Sequence, residues 1–312
     1  MNPSSKNIPF YRQMIALLGN ALDLLDEQGR GEVLQFLLSQ QNADGGFRDR
    51  GGRSDLYYSL FGGLMIRAWG MEHGAWSSGH GVWGMESEVV VPEREAVEGS
   101  SQYGTILKLK QFIARQSKSE VPGFIEKCCF VLLQKELKTG RISRIRSIFS
   151  LGRSFWRERQ SINLSYRSFV LFLTLNVVFP FPRLLKFGAA KMLKQTIVDQ
   201  HSPCSEVAAK VFLQRMMNQD GSKETELLMS FACECGGFKA FAHLEQADML
   251  STAVALFALE FAGSDLRLLK PANLDFIESN FADGAFLSGD GDLTTDVEYT
   301  FYGLLALGVL AK

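Results

Sequence analysis

Residues 36–47 read Phe-Leu-Leu-Ser-Gln-Gln-Asn-Ala-Asp-Gly-Gly-Phe, and residues 55–61 continue with Asp-Leu-Tyr-Tyr-Ser-Leu-Phe. The same unit returns over 235–252 and 283–303: a glycine–aromatic turn, followed by an acid that opens an apolar run. A weaker copy, without the second apolar run, ends in Asp-Gly-Ser at 220–222. Recurrence of one unit along a chain indicates a repeat architecture, so this unit decides how the rest is interpreted.

Each unit predicts a helical hairpin. Apolar residues precede the first glycine pair at helical spacing, at Val33, Leu34, Leu37 and Leu38. Glycine adopts the positive φ values that end a helix, and the aromatic residue after it anchors the turn by burying apolar area. The acid suits a helix N-cap, and the nearly all-apolar second helix must be buried on most faces. Strand patterns are poor throughout, so we predict an all-α fold.

Two stretches resemble the prenyltransferase β-subunit and squalene-cyclase superfamily. They are the Gln-x-x-Asp-Gly-Gly-Phe turn at 41–47 and the Asp-Val-Glu-Tyr-Thr-Phe-Tyr-Gly stretch at 296–303. Within the superfamily, the chain is most similar to divergent bacterial prenyltransferase β-like proteins. The resemblance implies an α/α toroid (α/α barrel) of about six helical hairpins, with inner and outer helices around a central apolar cavity.

The resemblance is clear over 30–70, 205–262 and 272–310 and faint from 72 to 200. At 312 residues the chain can bury its core as one toroid. We therefore predict a single domain over 1–312, with a degenerate or inserted middle region at 72–200. The apolar run at 168–179 is shorter than the ~20 residues that span a bilayer, so we predict that it is an inner helix.

The resemblance indicates where a metal site would lie, but two of the three ligand positions carry other residues in this chain. Protein prenyltransferases hold a zinc with the Asp and Cys of an Asp-x-Cys and with a later His; the matching positions here are Asp248, Leu250 and Tyr299. Leucine has no donor atom, and a neutral phenol is a poor zinc ligand. We predict no zinc and no other resident cofactor, with Mg²⁺ entering only alongside a bound diphosphate. Cyclases of the superfamily use Asp-x-Asp-Asp, for which Asp290-Gly-Asp-Leu is a weak match.

Polar residues at the start of the apolar helices are the candidate site residues, since offsets of three and four share a helix face. We predict catalytic roles for Asp248, Asp296 and Tyr299, and substrate binding by Asp55, Tyr58, Thr252, Thr300 and Tyr302. A carboxyl in an apolar cavity has a raised pKa and can donate a proton, and aromatic rings stabilise carbocations. The alternative is that the three Asp residues simply cap their helices, which their equivalent positions favour as the baseline role.

A basic segment at 138–159 contains seven Lys and Arg residues but one acid, with Ile, Phe and Trp interleaved. Three interpretations stay open. The segment is a solvated helix face, or it holds an isoprenoid diphosphate through Arg141, Arg144 and Arg146, or it lies peripherally on an anionic membrane.

Composition limits the remaining options. A net charge of −1 argues against nucleic acid as a partner. Five cysteines without a disulfide-like framework, and a polar start at 1–6, predict a cytoplasmic protein, with peripheral membrane contact as an addition. Cys233, Cys235 and His243 could chelate a metal, but we favour a turn role for Cys235.

Three functions follow from these observations. The first is a divergent prenyltransferase β-like enzyme that binds a polyprenyl diphosphate, or another lipid, in the central cavity without zinc. The second is a proton-initiated terpene cyclase of the same fold. The third is a non-catalytic toroid that binds a lipid or a protein. The resemblance adds a helical partner subunit as an expectation.

Overall fold

The computed structural model describes residues 10–72, 93–116, 123–139, 144–158, 164–178, 193 and 196–312. The helices are α1 (Phe10–Leu24), α2 (Glu27–Ser39), α3 (Leu56–Glu72), α4 (Glu93–Gln116), α5 (Phe124–Glu136), α6 (Arg144–Arg157), α7 (Leu164–Val178), α8 (Cys204–Met216), α9 (Ser222–Met229), α10 (Met249–Ala262), α11 (Lys270–Ser279) and α12 (Val297–Leu310). Three antiparallel pairs of two-residue strands are β1–β2 (Phe47–Arg48, Ser54–Asp55), β3–β4 (Phe238–Lys239, Ala247–Asp248) and β5–β6 (Phe281–Ala282, Ala285–Phe286). The predicted all-α fold is confirmed.

Seven helices of the described residues form a closed inner ring. In order, α1, α3, α5, α7, α8, α10 and α12 each contact the next, and α12 returns to α1. Helices α2, α4, α6, α9 and α11 pack outside this ring. The architecture is therefore the predicted α/α toroid. Helices α4 to α7, within the middle region at 72–200, continue the same alternation of outer and inner helices.

Four of the inner helices, α3, α7, α10 and α12, are buried because their sequences are mainly apolar on every side. Helix α10 reads MLSTAVALFALEFA and α12 reads VEYTFYGLLALGVL, so neither has a polar side to offer to water. Helix α7 contains most of the apolar run at 168–179, which confirms the prediction of an inner helix. Among the residues that the structure describes, no helix is both long and apolar enough to cross a membrane.

The glycine–aromatic turns join outer helices to inner ones. Their aromatic residues, Phe47, Phe238 and Phe286, are almost completely buried. Their backbone N–H groups donate to a hydroxyl four residues after the capping Asp, in Ser59 (2.9 Å), Thr252 (2.8 Å) and Thr300 (3.4 Å). The weak copy at 220–222 differs, because it joins inner helix α8 to outer helix α9. Its interpretation as a fourth turn of this kind is therefore wrong.

Gly308 allows the ring to close. A Cβ at this position of α12 would overlap the backbone carbonyl of Leu17 in α1, which no rotamer change can relieve. We expect Gly308→Ala to destabilise the fold by about 2 kcal/mol, because overpacking outweighs the helix propensity gained. Urea unfolding measures the change. Gly31→Ala is the matched control, since open space surrounds that helical glycine. Equal stability of both variants and the wild type would show that α1 and α12 do not pack this closely at Gly308.

Candidate functional site

An apolar cavity of about 340 Å³ lies within the ring, lined by residues from all seven inner helices named above. Eight of its wall residues are aromatic: Tyr57, Phe61, Tyr166, Phe169, Phe212, Phe257, Phe301 and Tyr302. Glu206 is the one charged residue on the described wall. A cavity of this kind binds an apolar molecule, and its ring faces stabilise positive charge.

A polar pocket of about 740 Å³ adjoins the apolar cavity, and Ser205 and Leu250 line both. The described wall of the polar pocket also carries Asp248, Asp290 and Tyr299, together with His243 and Glu245. Two of the three predicted catalytic residues, Asp248 and Tyr299, therefore meet on this pocket. The third, Asp296, is the N-cap of the helix that carries Tyr299.

Asp248 is the carboxyl best placed to hold a proton. It caps α10 as predicted, since its Oδ1 accepts from the Ser251 N–H at 2.8 Å. Its Oδ2 is buried and has no hydrogen-bond partner among the described residues. Burial raises the pKa of Asp248, the bonds from Ser251 lower it, and the nearby Asp290 raises it. The cap uses Oδ1 of Asp248, so Oδ2 is available to carry and donate a proton.

Asp296 occupies the equivalent cap but is ionically paired. Its Oδ1 accepts from the Tyr299 N–H at 2.8 Å, and its Oδ2 accepts from Arg50 Nε at 2.6 Å. Arg50 also pairs with Asp292 at 3.0 Å and lies over the Tyr299 ring, 5.0 Å from its centroid. Both oxygens of Asp296 thus accept hydrogen bonds, so its catalytic role stays a prediction and its geometry supports that role less than the geometry of Asp248 does. No local pattern in the sequence marks Arg50, because its partners lie about 240 residues away along the chain.

Asp55 is also a helix cap. Its Oδ1 accepts from the backbone N–H groups of Tyr57 (2.7 Å) and Tyr58 (3.1 Å). The Tyr58 side chain points to Glu298, whose Oε2 accepts from the phenol at 3.4 Å. Neither Asp55 nor Tyr58 is among the described residues that line the apolar cavity, so their role in substrate binding stays a prediction that this placement does not support.

Glu298 joins the cavity wall through tyrosines. Its Oε1 accepts from Tyr57 at 2.8 Å, and the Tyr57 and Tyr302 hydroxyls are 3.3 Å apart. Tyr166 lines the same cavity wall as Tyr57 and Tyr302. Burial raises the pKa of Glu298, although the Tyr57 hydrogen bond lowers it. Tyr302 lines the apolar cavity, which places it where the substrate-binding prediction requires.

The repeat register explains which residues face the apolar cavity. Wall residues recur two, six and nine positions after the capping Asp: 57, 61 and 64 in α3, and 250, 254 and 257 in α10. In α12 the corresponding positions are 298, 302 and 305, of which the last two line the cavity. Glu298 therefore occupies a cavity-facing position of the repeat. Sequence reasoning overlooked it because it followed offsets of three and four instead.

Thr252 and Thr300 follow those other offsets and support the turns. Each hydroxyl donates to the backbone carbonyl of its capping Asp at 2.7 Å and accepts from the backbone N–H of the turn's Phe residue. Both side chains are completely buried. Their hydrogen bonds are used within the fold, so the structure gives both residues a structural role and their substrate contact stays a prediction that this placement does not support.

The three arginines predicted to hold a diphosphate do not reach the cavity in the described part of the chain. Arg141 lies outside the described residues, and of Arg144 the structure describes the backbone at the start of α6. Arg146 is exposed on α6, which packs outside α5 and α7. Inner helices separate α6 from the apolar cavity, so Arg146 does not lie where a diphosphate bound at the cavity would be.

The positions that match the zinc ligands of protein prenyltransferases converge here, but together their side chains cannot bind zinc. Asp248, Leu250 and Tyr299 all line the polar pocket. Leu250 has no donor, and burial raises the pKa of Tyr299 to about 12, so its phenol is neutral near pH 7. Among the described residues, no three His, Cys, Asp or Glu side chains are placed to hold a metal ion. These residues do not fit a zinc ion.

Comparison with known proteins bears on the fold. No protein-family model matches the chain, and no curated protein matches it. Among solved structures, the apo type II terpene cyclase MstE from Scytonema is similar, with a TM-score of 0.52 and 11% sequence identity, over 95% of this chain and 98% of that chain. At this identity the likeness concerns the fold, and it confirms the helical toroid shared by terpene cyclases and prenyltransferases.

The buried Glu298 makes stability depend on pH. A raised pKa means that the folded state favours the protonated form, so this contribution is complete below about pH 4.3 and is lost as pH rises through the raised pKa. We expect Glu298→Gln to gain stability relative to the wild type as pH rises, measured by urea unfolding across a pH series. Exposed Glu226→Gln is the control. A difference between Glu298→Gln and wild type that does not change with pH would contradict the burial of an ionisable group here.

Proposed function

We propose that this chain is an isoprenoid-handling enzyme that cyclises a linear terpenoid by protonation, with Asp248 as the proton donor. The observation that carries the proposal is the buried, unbonded Oδ2 of Asp248 on a pocket that shares two wall residues with the aromatic cavity. The name of the similar structure, a type II terpene cyclase, supports the same assignment. Burial raises the pKa of Asp248 and so favours the protonated carboxyl, which is the acid that such a reaction requires.

The apolar cavity suits the carbocations of this reaction. Its volume of about 340 Å³ is at the lower end of the ~300–1,000 Å³ of small-molecule sites. Eight aromatic wall residues offer ring faces to a positive charge, and the scarcity of polar groups keeps water from trapping it. The substrate would therefore fold its isoprenoid chain inside the apolar cavity.

The overall reaction is an isomerisation of the substrate. Asp248 Oδ2 gives its proton to a terminal alkene carbon, where a C–H bond forms as the π bond breaks, leaving a tertiary carbocation. A second alkene of the same chain attacks the cation and closes a ring. The final cation loses a proton to the Tyr57 oxygen while Tyr57 passes its own proton to Glu298, with which it is bonded at 2.8 Å. Glu298 then releases this proton to solvent and Asp248 takes one up from solvent, which restores both carboxyl groups for the next turnover.

A prenyl transfer of the β-subunit type is the second candidate, and the charges favour it less. Transfer ejects diphosphate, which requires cations beside the cavity. The described charged residues of both walls are Glu206, Glu245, Asp248 and Asp290, with His243 as the one basic side chain. Acidic walls of this kind suit a substrate whose head group is neutral or lies outside both pockets. A partner subunit, as in protein prenyltransferases, stays a prediction.

Product analysis tests the proposal. The purified protein is incubated with geranyl, farnesyl and geranylgeranyl chains, each as alcohol and as diphosphate. Cyclisation gives a product of unchanged mass with fewer double bonds and no released pyrophosphate, whereas transfer releases pyrophosphate. Lipid that co-purifies without turnover would contradict catalysis and support a binding toroid.

A further inference from the structure

We propose that the outer face of α6 binds the surface of an anionic membrane. This α6 face consists of Arg146, Phe149, Arg153, Trp156 and Arg157, all of which are exposed. At 3.6 residues per turn the five positions lie within an arc of about 100°, with the three arginines adjoining the two aromatic rings. Basic and aromatic groups on one side of a helix are typical of helices that lie in the membrane interface.

The two aromatic residues are unusually exposed for their type. Phe149 is 75% exposed and Trp156 is 68% exposed, although both lie in the middle or last turn of a packed helix. The opposite side of α6 is occupied, because Leu151 and Phe155 are buried in a cluster with Phe124 and Cys128. Helix α6 is therefore fixed to the toroid by one side and presents the α6 face outward.

The charges on this face select an anionic surface. Arg146 and Arg153 have no ion-pair partner among the described residues. The helix contains no acid, and the following Glu158 is turned inward, where its Oε2 accepts from the Phe124 N–H at 2.9 Å. Arginines attract anionic lipid head groups while Phe and Trp enter the boundary of the acyl chains.

Geometry determines how the helix sits. With 14 residues, α6 is shorter than the ~20 that a membrane span requires, so it lies along the surface. It packs against α5 and α7, and Cys128 of α5 belongs both to the cluster under α6 and to the wall of the apolar cavity. A bound membrane would thus lie one helix layer away from the site of a lipid substrate. The membrane proposal itself does not rest on the proposed reaction.

Vesicle co-sedimentation of the full chain tests the proposal without any activity assay. We expect binding to vesicles of phosphatidylcholine mixed with phosphatidylserine, weaker binding to phosphatidylcholine alone, and loss of binding as ionic strength rises. Arg146→Ala with Arg153→Ala should lower the partition coefficient about 25-fold, taking about fivefold for each arginine near the surface. Phe149→Ser with Trp156→Ser should lower it about tenfold or more.

The matched control replaces exposed leucines elsewhere, Leu268→Ser with Leu293→Ser, which are 94% and 81% exposed. Unchanged urea unfolding of each variant excludes misfolding as the cause. Equal losses in the control and the α6 variants would overturn the proposal. Equal binding to both kinds of vesicle would also overturn it. So would a protein that binds no vesicles but forms a concentration-dependent dimer, if Phe149→Ser with Trp156→Ser abolished that dimer.

Discussion

Asp248→Asn is expected to lower the rate of cyclisation by about 1,000-fold or more and to leave the protein folded. The amide cannot donate the initiating proton, and general acids contribute about 10²–10⁴-fold even where other groups assist. Asn caps a helix about as well as Asp, so the bond from Ser251 N–H survives. Rates come from product formation, and stability from urea unfolding of the same preparation.

The pH dependence and a control sharpen this prediction. Burial raises the pKa of Asp248, so the rate of the wild type should fall as pH rises through that value, because the donor loses its proton. Asp26→Asn changes the same kind of cap on outer helix α2, where Oδ1 accepts from the Gly29 N–H at 2.7 Å. Activity in Asp248→Asn equal to that of Asp26→Asn would remove Asp248 from the mechanism.

Phe238→Ala is expected to cost about 3–5 kcal/mol, the usual range for truncating a buried Phe. The ring is fully buried, and its backbone N–H is held by Thr252 at the junction of α9 and α10. A loss of this size is a large share of the ~5–15 kcal/mol by which domains are stable. Urea unfolding measures it, because the midpoint falls with stability.

The anchor role has its own control. Phe149→Ala removes a ring that is 75% exposed and should change stability by less than about 0.5 kcal/mol. If Phe238→Ala cost no more than Phe149→Ala, the glycine–aromatic turn would not hold the repeat together. Phe47→Ala and Phe286→Ala, at the equivalent turns, should behave like Phe238→Ala.

The fold was predictable because its determinants are local. A glycine with positive φ, a buried aromatic and a capping Asp lie within twenty residues of one another, so their pattern survives in the sequence. The weak copy at 220–222 misled because Asp-Gly also serves the opposite junction between an inner and an outer helix. One local pattern can fit both kinds of turn, and the contacts of the flanking helices decide between them.

The site was only partly predictable, because its groups meet across the ring. The repeat and the aromatic pattern singled out Asp248, which lines the polar pocket, and Tyr302, which lines the apolar cavity; their roles stay predictions. Arg50 and Glu298 were overlooked, since their partners are fixed by closure of the toroid. Glu298 leaves one usable signal: it stands two residues after a capping Asp, as do Tyr57 and Leu250 on the cavity wall. Asp296 and Asp248 look equivalent in the sequence, but Arg50 Nε donates to Oδ2 of Asp296, whereas Oδ2 of Asp248 has no partner among the described residues.

The most direct test of protonation by Asp248 is cyclisation in D₂O followed by mass analysis of the product. The donor proton of a buried carboxyl exchanges with solvent, so the product should carry one deuterium per molecule on the carbon that was protonated. Asp248→Asn should form no such product, while Asp26→Asn should form it at the wild-type rate. A cyclised product without deuterium, or one formed equally by Asp248→Asn, would contradict the proposed mechanism.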